Sequence, residues 1–146
     1  MAPSPKRVAL VCTHYTMQSA FGLLILALNS ARLGYETLIY FTFEGLKMIQ
    51  PDGLAGLKYI PAECRGDPEE IERITAELQA TMEKKDIPYV EDMLAMAQLE
   101  GVRFLACKTS ADLFDLDEGD FIEGVEIMVA EEFMKQATDS DLHLVF

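Results

Sequence analysis

Short apolar runs alternate along this chain with longer stretches in which apolar residues recur every three or four positions. The first run, Arg-Val-Ala-Leu-Val-Cys at residues 7–12, is almost continuously apolar. That pattern suits a strand buried on both faces of a parallel sheet. Thr13–Thr16 reads as a loop with N-cap residues. Residues 17–33 then read as a helix that is apolar almost all round, with Gly34 at its C-cap. Such a helix belongs against a sheet or against another subunit. Residues 36–42 make a second strand, so strand, helix and strand form a right-handed crossover. Phe43–Ile49 opens a short helix. Residues 51–66 hold Pro51, Gly53, Gly56, Pro61 and Gly66 and read as a long loop, of the kind that is functional or mobile.

The second half continues the alternation. Residues 67–85 predict an amphipathic helix capped by Asp67, with Pro68 in its first turn and Pro88 as its stop. Further helices are expected at 89–100 and 130–137, with short helical turns at 111–114 and 118–122. Strands are expected at 102–106, 124–129 and 142–146. Strands alternating with helices predict an α/β fold, with about five strands in a mostly parallel sheet flanked by helices. Nothing marks a repeat, a linker or a second domain, so residues 1–146 are read as one domain.

Composition narrows the function. Twelve Lys and Arg stand against 25 Asp and Glu, a net charge of −13. A chain this acidic repels nucleic acid phosphates and anionic lipid surfaces. The longest apolar stretch, Ala20–Leu28, is far short of a membrane span, and the N-terminal apolar run is too short for a signal peptide. The three cysteines, Cys12, Cys64 and Cys107, are widely spaced without zinc-site spacing. An odd, small count favours free thiols in the reducing cytoplasm.

The candidate chemistry collects at the carboxyl ends of the predicted strands, where parallel α/β folds bind ligands. The first strand delivers Cys12, Thr13 and His14, the second Thr42, Phe43 and Glu44, and the third Cys107, Lys108, Thr109 and Ser110. A helix starting after Cys107 would point N–H groups at the sulfur and lower its pKa. Lys108, Thr109 and Ser110 would add a cation and hydroxyl donors that stabilise a thiolate or a persulfide anion. The alternatives are plain: Cys107 is a packed small hydrophobe, Lys108 points to solvent, and Ser110 caps a helix. His14 is a base for Cys107, a metal ligand with Cys12, or an ordinary loop residue. His143 reads as structural and Cys64 as an incidental loop thiol. One histidine with dispersed thiols makes a weak metal signature, so no metal is expected. No Gly-x-Gly-x-x-Gly follows the first strand, so no nicotinamide or flavin cofactor is expected either.

Three segments resemble the DsrE/DsrF-like (DsrEFH-like) family of small sulfur-relay proteins. They are Ala31–Leu46 with its Phe-Thr-Phe-Glu-Gly-Leu run, Ala106-Cys107-Lys-Thr-Ser110, and Phe121-Ile-Glu-Gly-Val-Glu-Ile-Met-Val129. Where many members carry an aromatic residue after the position of Phe43, this chain has Glu44, and an acid there opposes thiolate formation. The resemblance implies a five-stranded α/β domain, commonly a homo-oligomer such as a trimer or hexamer. It also implies that Cys107 carries sulfane sulfur as a persulfide, taken from a donor such as a rhodanese and passed to a partner. Two other readings stand beside it. One is a non-catalytic oligomeric binding module with a structural Cys107. The other is a thiol redox protein in which Cys12 and Cys107 form a reversible disulfide.

Overall fold

The computed structural model describes residues 5–146; residues 1–4 of the expected domain lie outside the described residues. Five parallel strands form one sheet: β1 (Arg7–Cys12), β2 (Glu36–Phe41), β3 (Arg103–Cys107), β4 (Val125–Met128) and β5 (Leu142–Val145). Their order across the sheet is β4-β3-β2-β1-β5. The helices are α1 (Met17–Arg32), α2 (Pro68–Lys84), α3 (Val90–Leu99), α4 (Lys108–Leu113) and α5 (Ala130–Thr138). The α/β expectation therefore holds, and the sheet is wholly parallel among the described residues.

The order of strands decides which face each helix covers. From β1 to β4 the chain steps across the sheet in one direction. Right-handed crossovers then put the intervening helices on one face. There α1 and α3 pack on Leu10, Ile39, Phe41, Phe104 and Ala106. The last crossover returns from β4 past three strands to β5, so the same handedness sends α5 to the opposite face. On that face Ala9, Leu38, Tyr40, Leu105, Cys107 and Met128 pack beneath Phe133 and Ala137 of α5. One face thus carries several helices, and the other a single helix of nine residues.

Local chemistry accounts for most boundaries. Thr16 caps α1 by accepting from the Ser19 N–H, and Gly34 follows in the left-handed region. Asp67 caps α2 with Pro68 at the first helical position. That helix stops at Lys84, before Pro88, where Asp86 turns left-handed. The 51–66 segment is a loop broken by 3-10 turns at Gly53–Gly56 and Ala62–Cys64. It is tied down on the α1 face. The Lys58 carbonyl accepts from the Met17 N–H at 2.7 Å, and the Tyr59 N–H donates to Thr75 Oγ1 of α2 at 2.9 Å. It does not cover Cys107, which faces the other way.

Candidate functional site

β1, β2 and β3 are neighbours, so their carboxyl ends do converge, as the sequence predicts. The pleat then sorts the residues by face. Cys107 is the last residue of β3 and lies directly opposite Met128 of β4. Its side chain is 8 % exposed and sits in the cluster under α5. Helix α4 starts at the next residue, which makes Cys107 its N-cap. The expected turn at 111–114 therefore begins three residues earlier, and Ser110 is inside the helix rather than at its cap.

This placement gives the sulfur the position of an N-cap acceptor. As a thiol it makes no capping bond. Burial alone would raise its pKa, but hydrogen bonds to the thiolate outweigh burial. They come from the Ser110 hydroxyl, the Tyr40 hydroxyl, and the backbone N–H groups of Ser110 and Thr109. The net effect holds the Cys107 thiol below the usual range, and the cause is hydrogen bonding to the charged form. Ser110 is itself fixed, because its Oγ accepts from the Phe43 N–H at 2.9 Å. That leaves the single hydroxyl proton of Ser110 free for the sulfur.

Several expected site residues stand elsewhere. Lys108 is exposed and pairs with Asp112 one helical turn on, so its ammonium is not a thiolate partner. Thr109 contributes its backbone N–H, not its exposed hydroxyl. His14 is exposed, with Nδ1 2.9 Å from Thr13 Oγ1, and it is not among the groups that shift Cys107. Glu44 is exposed on the Phe43–Ile49 turn and likewise leaves Cys107 unshifted.

Cys12 is fully buried on the α1 face, beside Met48 Sδ at 3.7 Å, and burial pushes its thiol up to about 12. The Cys12–Cys107 disulfide is overturned by geometry. The two residues lie on opposite faces of the sheet with β2 between their strands. Two strand spacings are ~9.5 Å, beyond the reach of a disulfide without backbone movement. Cys64 is partly exposed, and desolvation with the carboxylates of Glu70, Glu63 and Asp67 raises its pKa against a smaller pull from Arg73. Among the described residues no group of three or more His, Cys, Asp or Glu is placed to hold a metal ion. No helix among them is long and apolar enough to cross a membrane.

Two residues of the site, Tyr40 and Met128, escape a pattern reading, as does the backbone conformation of Phe43. Tyr40 reads as one more apolar strand residue, yet it is 4 % exposed and its hydroxyl donates to the Met128 carbonyl at 3.0 Å. A signal existed, because a buried tyrosine must place its hydroxyl. Met128 reads only as strand. Phe43 adopts φ 49°, a left-handed conformation that bulky residues rarely take, and no sequence rule flags it. Its ring is half-exposed and meets that of Phe114, with centroids 5.4 Å apart. The two aromatics border a groove of about 480 Å³ that Glu44, Leu46, Lys47, Gln50 and Leu116 complete. The groove adjoins the thiol site through the Phe43–Ser110 hydrogen bond.

Comparison with known proteins agrees with this fold. The model of the DsrE/DsrF/DrsH-like family matches residues 4–145. The sulfur carrier protein DsrE2 of Allochromatium vinosum is 30% identical over 154 residues, covering 95% of this chain and 97% of that protein. Among solved structures, the ychN protein from E. coli superimposes with a TM-score of 0.64 at 18% identity, over 98% of this chain and 100% of that one. BT1422 from Bacteroides thetaiotaomicron, a conserved protein of unknown function, does so with a TM-score of 0.59 at 12% identity, over 97% and 95%. The chain belongs to the DsrE/DsrF/DrsH-like family.

Proposed function

We propose that this family member is a cytoplasmic sulfur-relay protein that carries sulfane sulfur as a persulfide on Cys107. The observation that carries the reading is the thiol itself. A cysteine at a strand's carboxyl end, held below its usual pKa by four hydrogen-bond donors, yields the nucleophilic thiolate more readily than an ordinary thiol. The relative named as a sulfur carrier supports the same role. Loading begins when the Cys107 thiolate attacks the sulfane sulfur of a donor persulfide, such as that of a rhodanese. A bond forms between the two sulfurs, and the donor's sulfur–sulfur bond breaks. The donor thiolate leaves with the electron pair. Unloading reverses the roles: an acceptor thiolate attacks the outer sulfur, and Cys107 departs as the thiolate its donors stabilise. No oxidant is needed in either step. A homo-oligomer, trimeric or hexameric, is part of the same proposal.

The test is intact-protein mass spectrometry after incubation with thiosulfate or a polysulfide. Wild type gains one sulfur atom, removable by reductant, and Cys107→Ser gains none. An adduct that survives the substitution, or no adduct on the wild type, overturns the assignment. The latter outcome returns Cys107 to the role of a packed residue in a binding module.

A further inference from the structure

Tyr40 and Cys107 lie on adjacent strands, on the same face, in the cluster beneath α5. Tyr40 pairs in register with Leu105, so Cys107 stands one step further along its face. The Tyr40 hydroxyl reaches the carbonyl of Met128, the residue directly opposite Cys107 on the far side of β3. To do so the side chain starts on β2 and crosses β3 at the level of the sulfur. Its ring is held there by a parallel stack on Phe133, with centroids 4.2 Å apart and planes 4° apart.

A phenol has one proton to donate. While Cys107 is a thiol, that proton is on the Met128 carbonyl. We propose that Tyr40 is a positioning residue whose hydroxyl leaves the Met128 carbonyl and donates to the sulfur whenever the sulfur is anionic. The move is a rotation of the O–H bond on a ring that stays in place, so the site needs little rearrangement between thiol, thiolate and persulfide anion. Desolvation and the nearby Cys107 raise the pKa of Tyr40. The proton therefore stays on the phenol, and the charge stays on sulfur.

Among the described residues no charged group competes for this role. Lys108 is paired with Asp112 on α4, and Arg103 is paired with Glu126 lower on the same face. Lys135 pairs with Glu131 and Glu132 along α5. Glu44 and Lys47 on the neighbouring turn are exposed. His143 of β5 meets the ring of Phe133, with centroids 6.3 Å apart.

The test uses the pH profile of Cys107 alkylation by iodoacetamide in the full chain, followed by mass, and needs no sulfur donor. It is therefore independent of the persulfide reading. Tyr40→Phe keeps the stacked ring and removes the proton. The apparent pKa of Cys107 then rises by about one unit, and the rate at neutral pH falls about threefold, a roughly tenfold smaller thiolate fraction being partly offset by its greater reactivity. The plateau rate at high pH rises about threefold, because a less stabilised thiolate is more nucleophilic. A packing defect alone would not link those two changes in opposite directions. An unchanged profile overturns the proposal. A second readout guards against a variant that fails to fold. In wild type, a near-ultraviolet tyrosine difference band titrates with the thiolate absorbance, and Cys107→Ser abolishes it. A thiolate that forms with no tyrosine band also overturns the proposal.

Discussion

Cys12 and Cys107 are the same side chain pushed in opposite directions by what surrounds them. Cys12 meets a carbonyl, a thioether and apolar side chains, and burial holds its proton on to about 12. Cys107 meets four donors and lets its proton go early. Their effects on stability have opposite signs. Between the lowered pKa of Cys107 and the ordinary thiol range, the folded chain sheds a proton that the unfolded chain keeps, so stability rises with pH. Above the ordinary range, unfolded Cys12 ionises while folded Cys12 does not, so stability falls towards pH 12. Urea unfolding from pH ~8 to pH ~10 is expected to show a falling midpoint that Cys12→Val flattens. A slope that persists in Cys12→Val would place the alkaline sensitivity elsewhere. Cys107 is legible in the sequence because a thiol between an apolar strand and a polar turn is a recognisable pattern. Lys108 misleads because adjacency in sequence is not adjacency in space. The helix that begins there turns its ammonium to Asp112, a pairing that the four-residue spacing itself signals.

The Phe41-Thr-Phe-Glu-Gly-Leu46 turn shows how an element serves the site. Phe41 fills the α1 face, edge-on to Phe104. The Thr42 N–H donates to the Cys12 carbonyl at 2.9 Å, which ties the ends of β1 and β2 together. Phe43 goes left-handed and gives its N–H to Ser110. Gly45 is required for a steric reason, since a β-carbon there would press into the Cys12 carbonyl oxygen. Gly45→Ala is expected to cost about 1–3 kcal/mol, because that neighbour is backbone and yields little. Thermal unfolding measures it, and an unchanged midpoint would show that the turn can shift. Strands and long helices were readable here because their periodicity is set by burial, and their caps by single polar side chains. The start of α4 was not, because a cysteine is an unusual N-cap and Ser110 is the more familiar one. The 51–66 segment reads as an open loop because the α1 backbone that ties it down, at Met17, is distant in sequence.

At the scale of the whole molecule, the chain's acidity sets an expectation about its partners, and the alternation of elements reveals its class. Neither reveals the strand order. The return from β4 to β5 depends on which edge of the sheet accepts the last strand, and β5 carries no mark of that in its four residues. That return puts α5 alone over Cys107. Phe133 is its main anchor, buried at 4 % exposure against Tyr40. Phe133→Ala is expected to cost about 3–5 kcal/mol and to speed alkylation of Cys107 by any thiol reagent. Denaturation together with alkylation kinetics checks both effects, and a destabilised variant with unchanged alkylation would show that the sulfur is reached without α5 moving.

On the persulfide reading proposed above, a face closed by one short helix would act as a timer. Opening such a unit is cheaper than unfolding the domain. The rate of exchange at Cys107 would then be set by how often α5 lifts, multiplied by how fast the exposed sulfur reacts. Stored sulfur would be sheltered from small oxidants for as long as the helix stays down. Its release would be a property of the helix's anchorage as much as of the thiol's chemistry.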